Sequence, residues 1–359
     1  MKETVFSSLV FLVLLVSFYR CSDKKQRHSY NAQSVEHVDH LKKEVVVFVY
    51  HRFGDARYPS TNISLKDFEN HLDYLKSNNY TLLTFGDALD YINNPHVPYM
   101  DRTACITVDD GYKTFKSNGL PLLRKYGYTA TLFINSESVA GGTYLDWDEL
   151  KEVYEEGIEI GNHSHSHAYF LNKSASDRKD VFKEDVLKCQ AEIEKYLGFR
   201  PTVFAYPYGE FDLKMKETLR ELGFKGAAAQ NSGVMYKYDD YAIPRFPMAG
   251  PYVKLKGFVE KANMKALRVK QKSDDSYVLY GENPPEITIE FDPGDADLSR
   301  HNCFTGNTCE SVLHGNSISV KATQKITGRR SLYTITAPSK TSQEWHWFSH
   351  LWIRPEIQE

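Results

Sequence analysis

Thr107-Val108-Asp109-Asp110-Gly111-Tyr112 and Gly161-Asn162-His163-Ser164-His165-Ser166-His167 are the two stretches of this chain best equipped for chemistry. Together they offer two adjacent carboxylates and three closely spaced imidazoles, the ligand types that a hydrolytic Zn²⁺ site uses. His163 and His167 stand at i, i+4, a spacing that on a helical turn puts both on one face, able to chelate one ion. A carboxylate from another strand end completes three ligands and leaves a position for water, which marks a catalytic rather than a structural site. Zn²⁺ brings its water towards a pKa of ~7 and polarises a carbonyl oxygen. A second carboxylate beside it is placed to take the water's proton. The adjacent aspartates can divide that labour only if the chain bends after Val108, and Gly111 permits the bend. Taken singly, each motif has a plainer reading. Asp-Asp-Gly is a turn signal, and a His-rich pentad suits a solvated loop or an adventitious metal binder.

The elements around the motifs favour the joint reading. Residues 44–50 are a β-branched, apolar run that reads as a buried strand, and residues 104–108 are another, ending at the aspartates. Residues 130–134 read as a strand, and residues 158–160 as a short one ending at the histidines; residues 202–206 are the next. Between them, residues 64–76 read as a helix capped by Ser64, with Phe68, Leu72 and Leu75 at i, i+4, i+7. Further helices are predicted after the aspartates to about Lys125, over 147–155, over about 177–197 and over 213–222. Strands alternating with helices at this spacing imply a parallel sheet or barrel, in which chemistry gathers at the strand C-termini. All the candidate ligands sit there.

After about Lys265 the texture changes. Residues 287–291, 317–320 and 331–336 alternate apolar and polar side chains between turn signals, as in a small all-β, sandwich-like module. Trp345, Trp347, Phe348 and Trp352 in this module are candidates for sugar stacking or docking, but core packing is the favoured reading. Cys303 and Cys309 close a short loop and are candidates for a disulfide, whereas Cys105 and Cys189 lie in apolar strand-like and helical runs as buried thiols.

Hydrophobic residues make up 41% of the chain and net charge is −3, so it is globular and carries no electrostatic footprint of a nucleic-acid binder. At the N-terminus, residues 5–18 form an almost continuous apolar run after Lys2. The run is shorter than the ~20 residues that span a bilayer, which favours a secretory signal. Cys21 and a polar stretch follow, an order similar to a bacterial lipoprotein signal, with Arg20 as the departure from it. An uncleaved signal-anchor is the competing reading, and either implies export to the cell envelope, periplasmic or outer surface. The expected organisation is a signal or lipoprotein-type segment over 1–21, a linker over 22–42, a catalytic domain over 43–264 and an all-β accessory domain over 265–359. Contact with a membrane is expected only through the N-terminal lipid or signal anchor.

With these motifs in place, residues 44–250 resemble the polysaccharide deacetylases with the NodB-homology domain (carbohydrate esterase family 4). Thr107-Val108-Asp109-Asp110-Gly111 is similar to the family's first motif, His163-Ser164-x-x-His167 to its second, and Arg200-Pro201 with Phe204-Ala205-Tyr206-Pro207-Tyr208-Gly209 to its third. The resemblance implies a distorted (β/α) barrel. It makes Asp109 the general base and Asp110, His163 and His167 the ligands of a divalent metal, with Zn²⁺ the default and Co²⁺ or Ni²⁺ compatible. His165 becomes a bystander or a pocket wall. Tyr206, Pro207 and Tyr208 would line the substrate groove, and a backbone N–H near Tyr206 or Tyr208 would serve as oxyanion donor. Tyr50-His51-Arg52-Phe53, the Tyr58-Pro59-Ser60-Thr61 loop and Ile243-Pro244-Arg245 look like the exported poly-N-acetylglucosamine deacetylase branch. There Arg245 would pair with Asp109 and orient it; the plain alternative is a surface salt bridge.

One departure stands out. Family members often carry a late Leu-His motif whose histidine protonates the leaving amine, and this chain has no histidine between Ala168 and Arg300. His51, a tyrosine or metal-held water must then supply the proton, and His51 is equally well read as a packed strand-end residue. The function implied is metal-dependent removal of N-acetyl groups from an N-acetylglucosamine polymer, most like poly-β-1,6-N-acetylglucosamine. The alternatives are a catalytically weak glycan-binding protein on the same scaffold, or an O-acetyl esterase on a plant-type polysaccharide.

Overall fold

The computed structural model describes residues 42–306 and 308–358. The signal-like segment, Cys21 and the linker up to residue 41 lie outside them.

β1 (Val45–Tyr50) shows why the first half of the chain folds as it does. Val46, Phe48 and Tyr50 enter one apolar cluster, while Val45 and Val47 enter another on the opposite face. A strand buried on both faces reads as a continuous apolar run, as expected of parallel sheets covered by helices. A short parallel ribbon follows, β2 (Arg52–Phe53) with β3 (Asn62–Ile63). The sheet continues with β4 (Thr81–Leu83), β5 (Thr103–Asp109), β6 (Thr131–Ile134), β7 (Glu159–Asn162), β8 (Val203–Ala205), β9 (Gly226–Ala228), β10 (Val234–Met235) and β11 (Phe246–Pro247). Its path is β10-β1-β5-β6-β7-β8-β9, parallel throughout except for β10.

The sheet curls into a half-barrel, and residues 243–247 bridge its two edges. Ile243 pairs with Ala228 at one edge and Phe246 with Phe48 at the other. Helix α1 (Leu65–Ser77) is capped by Ser64, whose side chain accepts from the Asp67 N–H, as predicted. α2 (Phe85–Asn93), which sequence periodicity did not single out, sends Phe85, Ala88, Leu89 and Ile92 into the cluster that also holds Val45 and Val47. α3 (Leu120–Tyr126), α4 (Trp147–Glu155), α5 (Arg178–Leu197), α6 (Leu213–Glu221) and α7 (Leu255–Ala262) complete the α/β part.

The remaining strands are β12 (Lys265–Ala266), β13 (Arg268–Lys272), β14 (Glu286–Asp292), β15 (Asn302–Phe304), β16 (Cys309–His314), β17 (Ser317–Ala322), β18 (Arg330–Pro338) and β19 (Trp345–Ile353). They form two four-stranded sheets, β12-β19-β18-β15 and β13-β14-β17-β16, whose inward side chains share one apolar cluster. Trp352 is buried in that cluster, with Phe348 packed against it, and Trp347 packs on Phe246 of the half-barrel, so the aromatic run serves packing. Trp345 is the exposed member. Cys303 and Cys309 are disulfide-bonded, and Cys105 and Cys189 are buried thiols.

The all-β part is locked to the half-barrel by a buried ion pair. Arg329 donates to both carboxylate oxygens of Glu210, at 2.6 and 2.7 Å, and both side chains are 2% exposed. The guanidinium also donates to the carbonyls of Pro355 and Ile357 and to Asn172 Oδ1. Breaking a buried pair by deleting one partner strands the other charge. Glu210→Ala is therefore expected to cost roughly 3–5 kcal/mol of unfolding free energy, measured by urea denaturation. A loss below about 1 kcal/mol, the value of a surface pair, would contradict the anchoring role.

Candidate active site

β5 delivers the two aspartates and the backbone then separates them. Asp109 is the last residue of the strand, while Asp110 and Gly111 both take left-handed backbone, each with φ 76°. A Cβ on Gly111 would meet Ile134 Cγ2 at 3.2 Å, and L side chains disfavour that φ in any case, so glycine is required. Aspartate tolerates the same region better than most residues. The expected bend thus falls at Asp110 and Gly111.

Asp109 is fully buried, and so is its partner. Arg245 Nη1 donates to Asp109 Oδ1 at 2.7 Å and Nη2 to Oδ2 at 2.8 Å, with both side chains at 0% exposure. A surface salt bridge is thereby ruled out as the reading of Arg245. Two further donors are matched as well: Nε to the Ala229 carbonyl at 2.7 Å and Nη1 to Thr107 Oγ1 at 3.1 Å. Burial alone raises the Asp109 carboxyl, but the Arg245 guanidinium, with His163 beside it, outweighs burial and holds it below the usual carboxylate range. The residues that bridge the half-barrel's edges therefore also fix the charge state of Asp109.

The histidines stand on a loop after β7, not on a helical turn as their spacing suggested. Ser164 and His167 have left-handed φ, at 68° and 50°. Side chains take the backbone donors that a helix would have satisfied. Asn162 Oδ1 accepts from the Ser164 N–H, Ser164 Oγ from the His167 N–H, and Asp185 on α5 from the N–H groups of His165 and Ser166. The loop nevertheless brings both rings to Asp110. His163 Nε2 and His167 Nε2 each lie 3.4 Å from Asp110 Oδ1. His163 turns its other nitrogen, Nδ1, to the Ala205 carbonyl at 2.7 Å, the outer-shell contact that fixes a ligand imidazole's orientation. His165 faces away, towards Ser136 Oγ and Glu192.

The trio fits a divalent ion. One donor atom from each of Asp110, His163 and His167 lies within 4.8 Å of the others. Burial opposes charge on Asp110, but the hydrogen bond with His163 and the neighbouring imidazoles of His51 and His167 hold its carboxyl far below the ordinary range. Burial and the neighbouring His163 pull His167 down to about 4, which keeps it a neutral donor at physiological pH. Two imidazoles and a carboxylate are a donor set suited to Zn²⁺ and its neighbours in the transition series.

The trio opens on a cleft of ≈ 670 Å³, whose lining also includes His51, Tyr208 and Arg330. His51 lies just past the end of β1, with its Nδ1 buried and without a hydrogen-bond partner among the described residues. Of the three predicted groove residues, Tyr208 alone reaches the cleft. Tyr206 is fully buried between Phe204 and Phe211, its hydroxyl donates to the Tyr241 carbonyl and its N–H to the Ala228 carbonyl. It is a core residue of the strand end, and its N–H is spent in the sheet rather than offered to an oxyanion. Pro207 is buried beside it. Tyr208 has φ 58°, and this turn swings its ring out against His167, at 4.5 Å between centroids. Sequence reasoning missed two kinds of lining residue. Tyr112 and Tyr144, paired across a β-bridge, were recoverable from the Gly111-Tyr112 step. Arg330 gave no signal, because it comes from the distant all-β part.

Residues 96–227 match the family model described as polysaccharide deacetylase. The chain is 27% identical over 237 residues to the poly-beta-1,6-N-acetyl-D-glucosamine N-deacetylase of Staphylococcus aureus (strain MSSA476), an alignment covering 62% of this chain and 81% of that protein. Among solved structures, IcaB from Ammonifex degensii superposes with a TM-score of 0.55 at 25% identity, covering 61% of this chain and 97% of that one. The Streptococcus pyogenes deacetylase PplD superposes with a TM-score of 0.56 at 17% identity, covering 62% and 99%, and shares the fold. The matched segment carries the strands that deliver Asp109, Asp110, His163 and His167, and with the shared half-barrel it relates this part of the chain to the polysaccharide deacetylases.

Proposed function

We propose that this protein removes N-acetyl groups from an N-acetylglucosamine polymer, releasing acetate, and that a poly-β-1,6-linked chain is its substrate. The observation that carries the reading is the meeting of the Asp110, His163 and His167 donors at one open cleft, with the ionised Asp109 adjoining them. The relation to the S. aureus enzyme named for that polymer supports the choice of substrate. Export is suggested by the apolar N-terminal run and Cys21. Among the described residues no helix is long and apolar enough to cross a membrane.

Asp110, His163 and His167 would hold the metal, with Zn²⁺ as the default. The chemistry such an ion supplies is polarisation of a carbonyl oxygen and acidification of water. Asp109, kept charged by Arg245, takes the water's proton. Arg245 is a positioning residue, since its side-chain hydrogen bonds go to Asp109, Thr107 and Ala229. His51, on the cleft and electrostatically felt by both aspartates, is the donor to the departing amine in place of the missing late histidine. Tyr208 forms part of the wall that receives the sugar.

The direct test is acetate release from N-acetylglucosamine oligomers with and without a chelator. Release that stops with chelator and returns with Zn²⁺ is expected. No metal-dependent release from any oligomer would leave a glycan-binding protein on this scaffold, and release only from O-acetylated oligomers would make it an esterase. Asp109→Asn is expected to lower kcat by at least about 10²-fold, the lower end for a general base, while the protein still binds Zn²⁺ stoichiometrically by calorimetry. Retained turnover in that variant would move the base elsewhere. Arg245→Met removes the cation that offsets burial, so the Asp109 pKa must rise. The acid limb of the kcat/KM profile is then expected to move to higher pH, with Arg245→Lys falling between. An unmoved limb in a variant that still folds would show that Arg245 does not set the charge of Asp109.

A further inference from the structure

Arg330 is the first residue of β18, in the all-β part of the chain and outside the segment that matches the family model. It nevertheless lines the same cleft as His51, His167 and Tyr208. Its Nη1 lies 3.4 Å from the Tyr208 carbonyl and 3.2 Å from Glu210 Oε1, and its guanidinium is 5.8 Å from the centre of the Tyr208 ring. That ring touches His167 on one side of the cleft and stacks on Tyr169 at 3.7 Å, with ring planes 5° apart. Arg330 therefore stands one aromatic ring beyond the metal-site histidine.

The two consecutive arginines divide their work. Arg329 holds Glu210 with two short bonds at 2% exposure, and it also stands 4.5 Å over the Tyr169 ring. Arg330 reaches the Tyr208 carbonyl and Glu210 with Nη1, and its side chain is 28% exposed on the cleft wall. Arg329 is thus the buried member of the pair at the join, and Arg330 is placed at the cleft surface. A guanidinium presents five N–H donors in a planar fork and no acceptor. The hydroxyl and acetamide oxygens of an N-acetylated sugar are its complement.

We propose that Arg330 forms a sugar-binding subsite of the cleft, contributed by the all-β part, which holds an N-acetylhexosamine unit neighbouring the one being hydrolysed. This rests on the deacetylase reading. It gives the C-terminal β-sheets a task that their buried tryptophans do not perform. A subsite one ring away from the metal ligands is reached by longer oligomers, and its contribution must grow with chain length.

The test uses the full chain, with N-acetylglucosamine oligomers of increasing length as probes. For Arg330→Ala, the ratio of kcat/KM on long oligomers to that on the shortest is expected to fall roughly tenfold, the worth of one hydrogen bond to a charged group, and the loss should sit in KM. Arg330→Lys should restore part of it, and the thermal midpoint should stay within a degree or two of the parent. In the Asp109→Asn background, Arg330→Ala should weaken long-oligomer binding by a similar factor in calorimetry. A loss equal at every length, a loss confined to kcat, or undiminished long-oligomer binding would overturn the subsite. Absence of acetate release by the parent protein, with length-dependent binding still lost in Arg330→Ala, would overturn the deacetylase reading and leave the subsite standing.

Discussion

A fully buried carboxylate and guanidinium, Asp109 and Arg245, set the terms for the rest of the site. Two charges removed from water are costly unless their geometry is close and the remaining donors are satisfied. Here Asp109 receives two bonds from one fork, and Arg245 spends two further donors on Thr107 and Ala229. Those partners lie on β5 and just after β9, so the pair exists only if the edge of the half-barrel comes round to β1. Residues 243–247 make that bridge and carry Arg245 on it. Barrel curvature and the charge state of the proposed base are one constraint.

The second constraint is local. Two neighbouring carboxylates on an extended strand point to opposite faces. Left-handed backbone at Asp110 and Gly111 lets one stay on Arg245 while the other faces two imidazoles. The same device recurs at Ser164, His167 and Tyr208, each with positive φ, the last two lining the cleft. Backbone strain gathered at one place is the pattern of a functional site held by a rigid surround. That surround is visible in Asp185, Asn162 and the Ala205 carbonyl, which fix the histidine loop from three elements.

Much of this was legible in the residue order. The apolar runs named the core strands, Ser64 named a helix start, and the strand-end placement of Asp110, His163 and His167 anticipated that they would meet. What failed did so for physical reasons. The i, i+4 spacing of the histidines was read as helix, but polar side chains of Asn162, Ser164 and Asp185 compete for the backbone donors and win. Tyr206 and Tyr208 are two residues apart, yet one continues a strand into the core and the other follows a turn into the cleft. Arg330 could not be read at all, because its position depends on a buried pair, Arg329 with Glu210, that joins segments more than a hundred residues apart.

The central claim is that adjacent aspartates play separate parts, one holding an ion and the other held by an arginine. Anomalous diffraction from a crystal grown with Zn²⁺ tests it most directly. The account predicts one strong peak bonded to an Asp110 oxygen, His163 Nε2 and His167 Nε2, with Asp109 still paired to Arg245. A peak coordinated by Asp109, with Arg245 released, or a peak placed away from the histidines, would contradict it.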